Sequence, residues 1–210
     1  MKKINLITIS VFIFFNSFFF LNLQSQINNT IIVKVGELLI TSIDIENEII
    51  TNIIINKQKI SQENIDNNKN FAVKNLVGKL IKRTEINKYQ IEDYNKKDLN
   101  DYIENIAKNL QTDLIGLKDI FKQSNINYKV FIENHETELL WNTLIYQLYQ
   151  NQINVNIVEV DTEVEKIKEN KSLEDLKKIK ENILNKKKEE KLNLFSRSHF
   201  SNLENTIAVK

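Results

Sequence analysis

The chain has 210 residues, 41% hydrophobic and 27% charged, with a formal net charge of +1. Without Lys2 and Lys3, the 29 basic side chains fall to 27 against 28 acidic ones, which gives no electrostatic case for binding nucleic acid or an anionic membrane surface. The absence of cysteine excludes a disulfide scaffold, so the fold relies on packing alone.

Residues 1–25 open with the basic Lys2-Lys3 pair, continue with an apolar run from Ile4 to Leu23, and close on Ser25 as a small residue before a cut. This order predicts a secretory signal peptide. The competing reading is an uncleaved anchor, because the run approaches the ~20 residues that span a bilayer. Either way the remainder is exported.

"IIVKVGELLI" follows, with Ile31, Val33 and Val35 alternating, a Gly36-Glu37 turn, and a second apolar run from Leu38 to Ile40. It reads as a small hairpin. Thr41 or Ser42 then caps a first helix running to about Lys57, with Ile45, Ile49 and Ile53 four apart and acids in its first turns. The polar stretch from Lys57 to Asn70 reads as a loop or frayed helix start. Phe71, Leu76, Leu80 and Ile81 mark a second helix ending near Arg83. Leu99, Tyr102, Ile103, Ile106 and Leu110 share one face of a third. Asp113 caps a short fourth with Leu114, Leu117, Ile120 and Phe121.

The fifth helix, from about Tyr128 to Asn151, is apolar over roughly 220° of its circumference at 100° per residue. A helix on the surface of one core buries a narrower stripe. This one is expected to lie between two packed groups, or between a core and a groove. "INVNIVEV" reads as a short strand or an extended link, and Thr162-x-x-Glu165 and Ser172-x-x-Asp175 match the capping box, predicting two more helices. The charged "NKKKEEK" is expected to be a solvated helix face. "NTIAVK" ends the chain as a strand, with Ile207 and Val209 alternating, and offers a third strand to the opening hairpin. The fold class expected is mostly α, with a small antiparallel β-ribbon joining the N- and C-terminal ends.

Catalytic chemistry is not legible. "HETEL" at 135–139 places leucine where the zinc motif H-E-x-x-H needs its second histidine. His135 is expected as a hydrogen-bonded core histidine and His199 as a helix-end residue. The glycines, Gly36, Gly78 and Gly116, are too scattered for a phosphate-cradling loop. No catalytic residue, metal site or cofactor is expected, and the many asparagines carry no functional reading.

In order along the chain, "IIVKVGELLITSIDIENEI", "AVKNLVGKLIKRTEINKYQI", the run from "DLNDYIENIAKNLQ" to "FIENHETELLWNTLI" and the closing "FSRSHFSNLENTIAVK" resemble the SurA-type periplasmic chaperones of Gram-negative bacteria. The likeness covers roughly residues 30–160 and 172–210. That family usually carries one or two parvulin-type isomerase domains before its closing helix. Here only about eleven residues, Asp161 to Lys171, fill the gap, far short of a domain. The resemblance therefore implies a SurA-N-like chaperone module at 26–160, a C-terminal helix and closing strand at 161–210 packed on it, and no isomerase. It implies a periplasmic, ATP-free holdase whose partners are unfolded outer-membrane β-barrel polypeptides, with no nucleic acid and no stable membrane insertion after cleavage. The candidate client-binding positions are Phe121, Phe131, Trp141, Tyr146 and Tyr149, with plain core packing as the rival reading of each. An isomerase-related protein and a membrane-tethered periplasmic adaptor are the alternatives.

Overall fold

The computed structural model describes residues 30–169, 171–207 and 209. The expected signal peptide at 1–25 lies outside them. Strands β1 (Ile31–Val35) and β2 (Leu38–Thr41) form an antiparallel ribbon pairing Val35 with Leu38 and Lys34 with Leu39. Gly36 adopts a φ of 58°, the conformation that suits the first position of a two-residue hairpin loop. The pairing slips between Ile31 and Val33, which leaves Ile32 exposed.

Seven helices follow. They are α1 (Ser42–Ile55), α2 (Gln62–Lys88), α3 (Lys96–Asn109), α4 (Leu114–Gln123), α5 (Tyr128–Tyr149), α6 (Ile157–Lys166) and α7 (Leu173–Thr206). The fold is mostly α with a small β-ribbon. Side-chain caps begin each helix. Thr41 and Asp44 close a capping box at α1, while Ser61, Asn95, Asp113, Asn127, Asn156 and Ser172 accept from backbone amides at the others.

Four of the helix ends share one device without glycine. Lys57, Gln90, Gln111 and Asn125 each take a left-handed φ of 54–57° directly after the C-cap. The following amide then reaches back to a carbonyl in the last turn: Gln58 to Ile53, Ile91 to Ile86, Thr112 to Ala107 and Ile126 to Phe121. These are Schellman endings. In two of them the apolar pair that accompanies the motif is shared with a core cluster, Ile91 with Ile86 and Ile126 with Phe121.

Three apolar clusters hold the elements together. The first joins the ribbon to α1 and α2 through Val35, Ile40, Ile49, Ile53, Leu76 and Ile81. The second joins α3, α4 and α5 through Leu99, Ile103, Leu117, Phe121 and Phe131. The third, Ile86, Trp141, Leu144 and Ile145, sits where α2, α5 and α7 meet. Helix α5 contributes to the second and third, so its wide apolar arc serves two packed groups.

Several expectations are corrected. Helix α2 begins at Gln62 and runs to Lys88 rather than ending near Arg83, because Ser61 caps the polar stretch and the stop comes from Gln90. "INVNIVEV" is no strand: residues 153–156 are a link and Asn156 caps α6. Thr162 therefore lies inside α6, where its hydroxyl donates to the Val158 carbonyl, and caps nothing. Helix α7 continues unbroken to Thr206, about 50 Å at 1.5 Å per residue. Its first half runs beside α6, with Lys187 bridging Glu159 and Glu163 and Lys180 meeting Asp161. Its second half packs against α2 and α5. Of the expected closing strand, one antiparallel bridge is present, Val209 to Val35, so the two ends of the described chain do meet.

Candidate functional site

The five aromatic positions do not share one groove. Phe121 and Phe131 meet edge to face at 4.9 Å inside the second cluster, both buried. Trp141 is 2% exposed and its indole N–H donates to Ser196 Oγ at 2.8 Å. Tyr149 stacks on Phe195 at 4.8 Å, with its hydroxyl 2.8 Å from His199 Nδ1. Only Tyr146 is open, at 51% exposure.

Trp141 nevertheless reaches an opening. It forms part of the floor of a cleft of about 420 Å³ between α2, α5 and α7, together with Gly78 and Phe200. Phe200 meets the indole edge to face at 6.2 Å, and a Cβ at Gly78 would come within 3.4 Å of the Phe200 ring. Phe71 stands on the wall, 58% exposed, which is high for so large an apolar ring. Lys74, Lys82 and Arg197 supply positive charge around it. The Lys82 ammonium lies 5.8 Å from the centre of the Trp141 ring and 5.7 Å from that of Phe200. It also pairs with Glu138 of α5.

A second cleft, of about 300 Å³, opens between α1, α2, α3 and α5. It shares Asn75, Lys79, Lys82 and Glu138 with the first, so the two are neighbours across the Lys82–Glu138 pair. Its wall is polar. The Lys79 ammonium donates to both Glu48 carboxylate oxygens at 2.9 Å, and Asn75 donates to the same carboxylate. Glu48 and Lys79 are both buried. Asn52 Nδ2 is buried without a hydrogen-bond partner.

His135 lines this second cleft. It is half-buried and stacks on Tyr102 with ring centres 3.5 Å apart, and among the described residues neither ring nitrogen has a hydrogen-bond partner, which corrects the expectation of a hydrogen-bonded core histidine. Burial holds its pKa below the usual 6.5, helped by Lys79 and opposed by Glu138. His199 is likewise corrected. It lies seven residues before the end of α7, between Tyr149 and Glu85, as a packing residue rather than a partner of the helix dipole.

Sequence reasoning missed Phe71 and Phe200 as cleft residues and the polar cleft altogether. A signal for Phe71 was present: Ala72, Leu76 and Leu80 form the buried four-residue series of α2, and Phe71 is off it by one position. No comparable signal marked the polar cleft, since its residues come from four helices. Among the described residues no group of histidines and carboxylates could hold a metal ion, and no helix is long and apolar enough to cross a membrane. Comparison with known protein families and with curated proteins gives no match for this chain.

Proposed function

We propose that this chain is a periplasmic holdase that binds extended, aromatic-rich segments of unfolded outer-membrane proteins, without ATP, in the cleft between α2, α5 and α7. The observation that carries the reading is the exposed Phe71 ring beside an open floor of Trp141 and Phe200. Transmembrane β-strands alternate apolar and polar residues and concentrate aromatics at their ends. An unfolded strand of that kind offers rings that such a floor can stack, while Lys74, Lys82 and Arg197 add attraction to ring faces and to acidic side chains. Burial at about 25 cal/mol per Å² acts against the cost of ordering the client, so binding is weak and reversible, as a transient carrier requires.

The resemblance to the SurA-type module supports the same reading, as does the export expected from residues 1–25. In this account the protein has no isomerase activity, and the client site draws on Trp141 from the aromatic positions singled out in the sequence, with Phe71 and Phe200 added. Phe121 and Phe131 act behind it as packing.

The test is suppression of aggregation when a urea-unfolded outer-membrane porin is diluted into buffer without nucleotide. Stoichiometric protein is expected to suppress it. Phe71→Ser, at a position exposed in the free protein, is expected to weaken the effect about tenfold, as losing ~1–2 kcal/mol of aromatic contact would. Full suppression by Phe71→Ser would move the client site elsewhere, and no suppression by the unaltered protein would end the holdase reading.

A further inference from the structure

We infer that the polar cleft between α1, α2, α3 and α5 binds the main chain of the same extended segment whose aromatic side chains enter the neighbouring aromatic cleft. This rests on the peptide-binding reading above and adds to it a second subsite with a different chemistry. The two clefts share Asn75, Lys79, Lys82 and Glu138, so a segment leaving one passes directly over the Lys82–Glu138 pair into the other.

The wall selects a neutral ligand. Its buried charges are already matched, Lys79 by Glu48 and Lys82 by Glu138. An anion would have to displace Glu48 from Lys79, and a cation would have to displace Lys79 from Glu48. What is left over is hydrogen-bonding capacity without net charge. Asn52 Nδ2 is a buried donor with no partner, a costly state in the free protein that an arriving acceptor relieves. The ring nitrogens of His135 make no hydrogen bond among the described residues, and burial keeps the ring neutral near pH 7, with one nitrogen donating and the other accepting.

Carboxamides also line the cleft at Asn47, Asn127 and Asn134. A carboxamide is chemically a peptide group on a side chain, and it pairs with main-chain N–H and C=O whatever residue carries them. Recognition of that kind does not depend on client sequence, which an acceptor of many unfolded chains needs. The volume, about 300 Å³, is at the lower end for ligand pockets and suits a short length of extended chain rather than a bulky group.

The chain carries its own reporters, because it has two histidines and one tryptophan. His135 lines the polar cleft, Trp141 the aromatic one, and His199, held by Tyr149 and Glu85, belongs to neither. The experiment is NMR of the histidine ring and indole N–H signals of the full chain. The probes are an aromatic-rich peptide from an outer-membrane strand and its analogue N-methylated at alternate backbone nitrogens. The parent peptide is expected to move the Trp141 and His135 signals together and to leave His199 in place. N-methylation, and separately Asn52→Leu, are expected to weaken binding about tenfold and to remove the His135 shift while Trp141 still responds. If Trp141 moves, His135 does not, and N-methylation has no effect, the main-chain subsite is refuted and the aromatic cleft stands. If the parent peptide moves neither signal, both fail. The N-methylated peptide needs no variant, so the result holds even if Asn52→Leu does not fold.

Discussion

The buried Glu48–Lys79 pair gives the sharpest test of how the frame is held. Both side chains are about nine-tenths or more buried, and the ammonium sits 2.9 Å from each carboxylate oxygen, linking α1 to α2 beside the polar cleft. Lys79→Met leaves the Glu48 carboxylate out of water with Asn75 as its remaining donor. Breaking a buried pair from one side costs about 3–5 kcal/mol. At roughly 2–4 °C per kcal/mol for a chain of this size, Tm falls by about 6–20 °C. Glu48→Leu strands Lys79 in the same way. The double variant removes both charges together, and a well-packed apolar replacement is about neutral or stabilising, so most of the loss returns. Urea unfolding of the four proteins, followed by far-UV circular dichroism, closes the cycle. Single variants that each lose less than about 1 kcal/mol, the range of exposed pairs, would show that water from the cleft solvates the pair and refute the reasoning.

Glycine is expected to stabilise the helix ends that now use side-chain-bearing residues at left-handed φ. Lys57→Gly, Gln90→Gly and Gln111→Gly each remove a strain of about 1 kcal/mol and raise the urea midpoint, and a fall in the midpoint would mean the side chains contribute more than the strain. His135 is expected to titrate below 6.5, because burial disfavours the imidazolium. The unfolded chain then takes up this proton first as pH falls, so stability drops through the window just below 6.5, and His135→Gln is expected to flatten that part of the pH profile. A ring-proton NMR titration with a midpoint at or above 6.5 refutes this.

Helix starts were legible because each relies on a local side chain. Thr41, Asp113 and Ser172 are visible in sequence as capping residues and act as such. Helix stops were not, since with no proline and few glycines the chain ends its helices on Lys57, Gln90, Gln111 and Asn125, residue types that carry no stop signal. That is why α2 was expected five residues too short. The wide apolar arc of α5 was read correctly as a helix between two groups. Which of its aromatics face an opening depends on α7, whose Phe200 and Ser196 arrive from more than fifty residues away.

The asparagines show why the candidate site stayed hidden. Asn95, Asn127 and Asn156 each use the side-chain oxygen to accept from a backbone amide at a helix start. Asn75 uses its nitrogen on Glu48, and Asn134 its oxygen on Arg83. One residue type thus serves as cap, ion-pair support and cleft wall, and composition cannot separate the three. What separates them is which half of the carboxamide is occupied. At the caps the oxygen is engaged, whereas the buried Asn52 Nδ2 has no partner. The only side-chain atom of this kind among the described residues lies in the polar cleft, on the face of α1 that also holds Glu48. A frame that satisfies its other buried side-chain polar atoms leaves this donor for something outside itself, and Asn52→Leu distinguishes the two meanings. If the donor serves only the fold, the apolar replacement leaves peptide binding unchanged and stability the same or higher. If it serves a ligand, the fold holds and binding weakens.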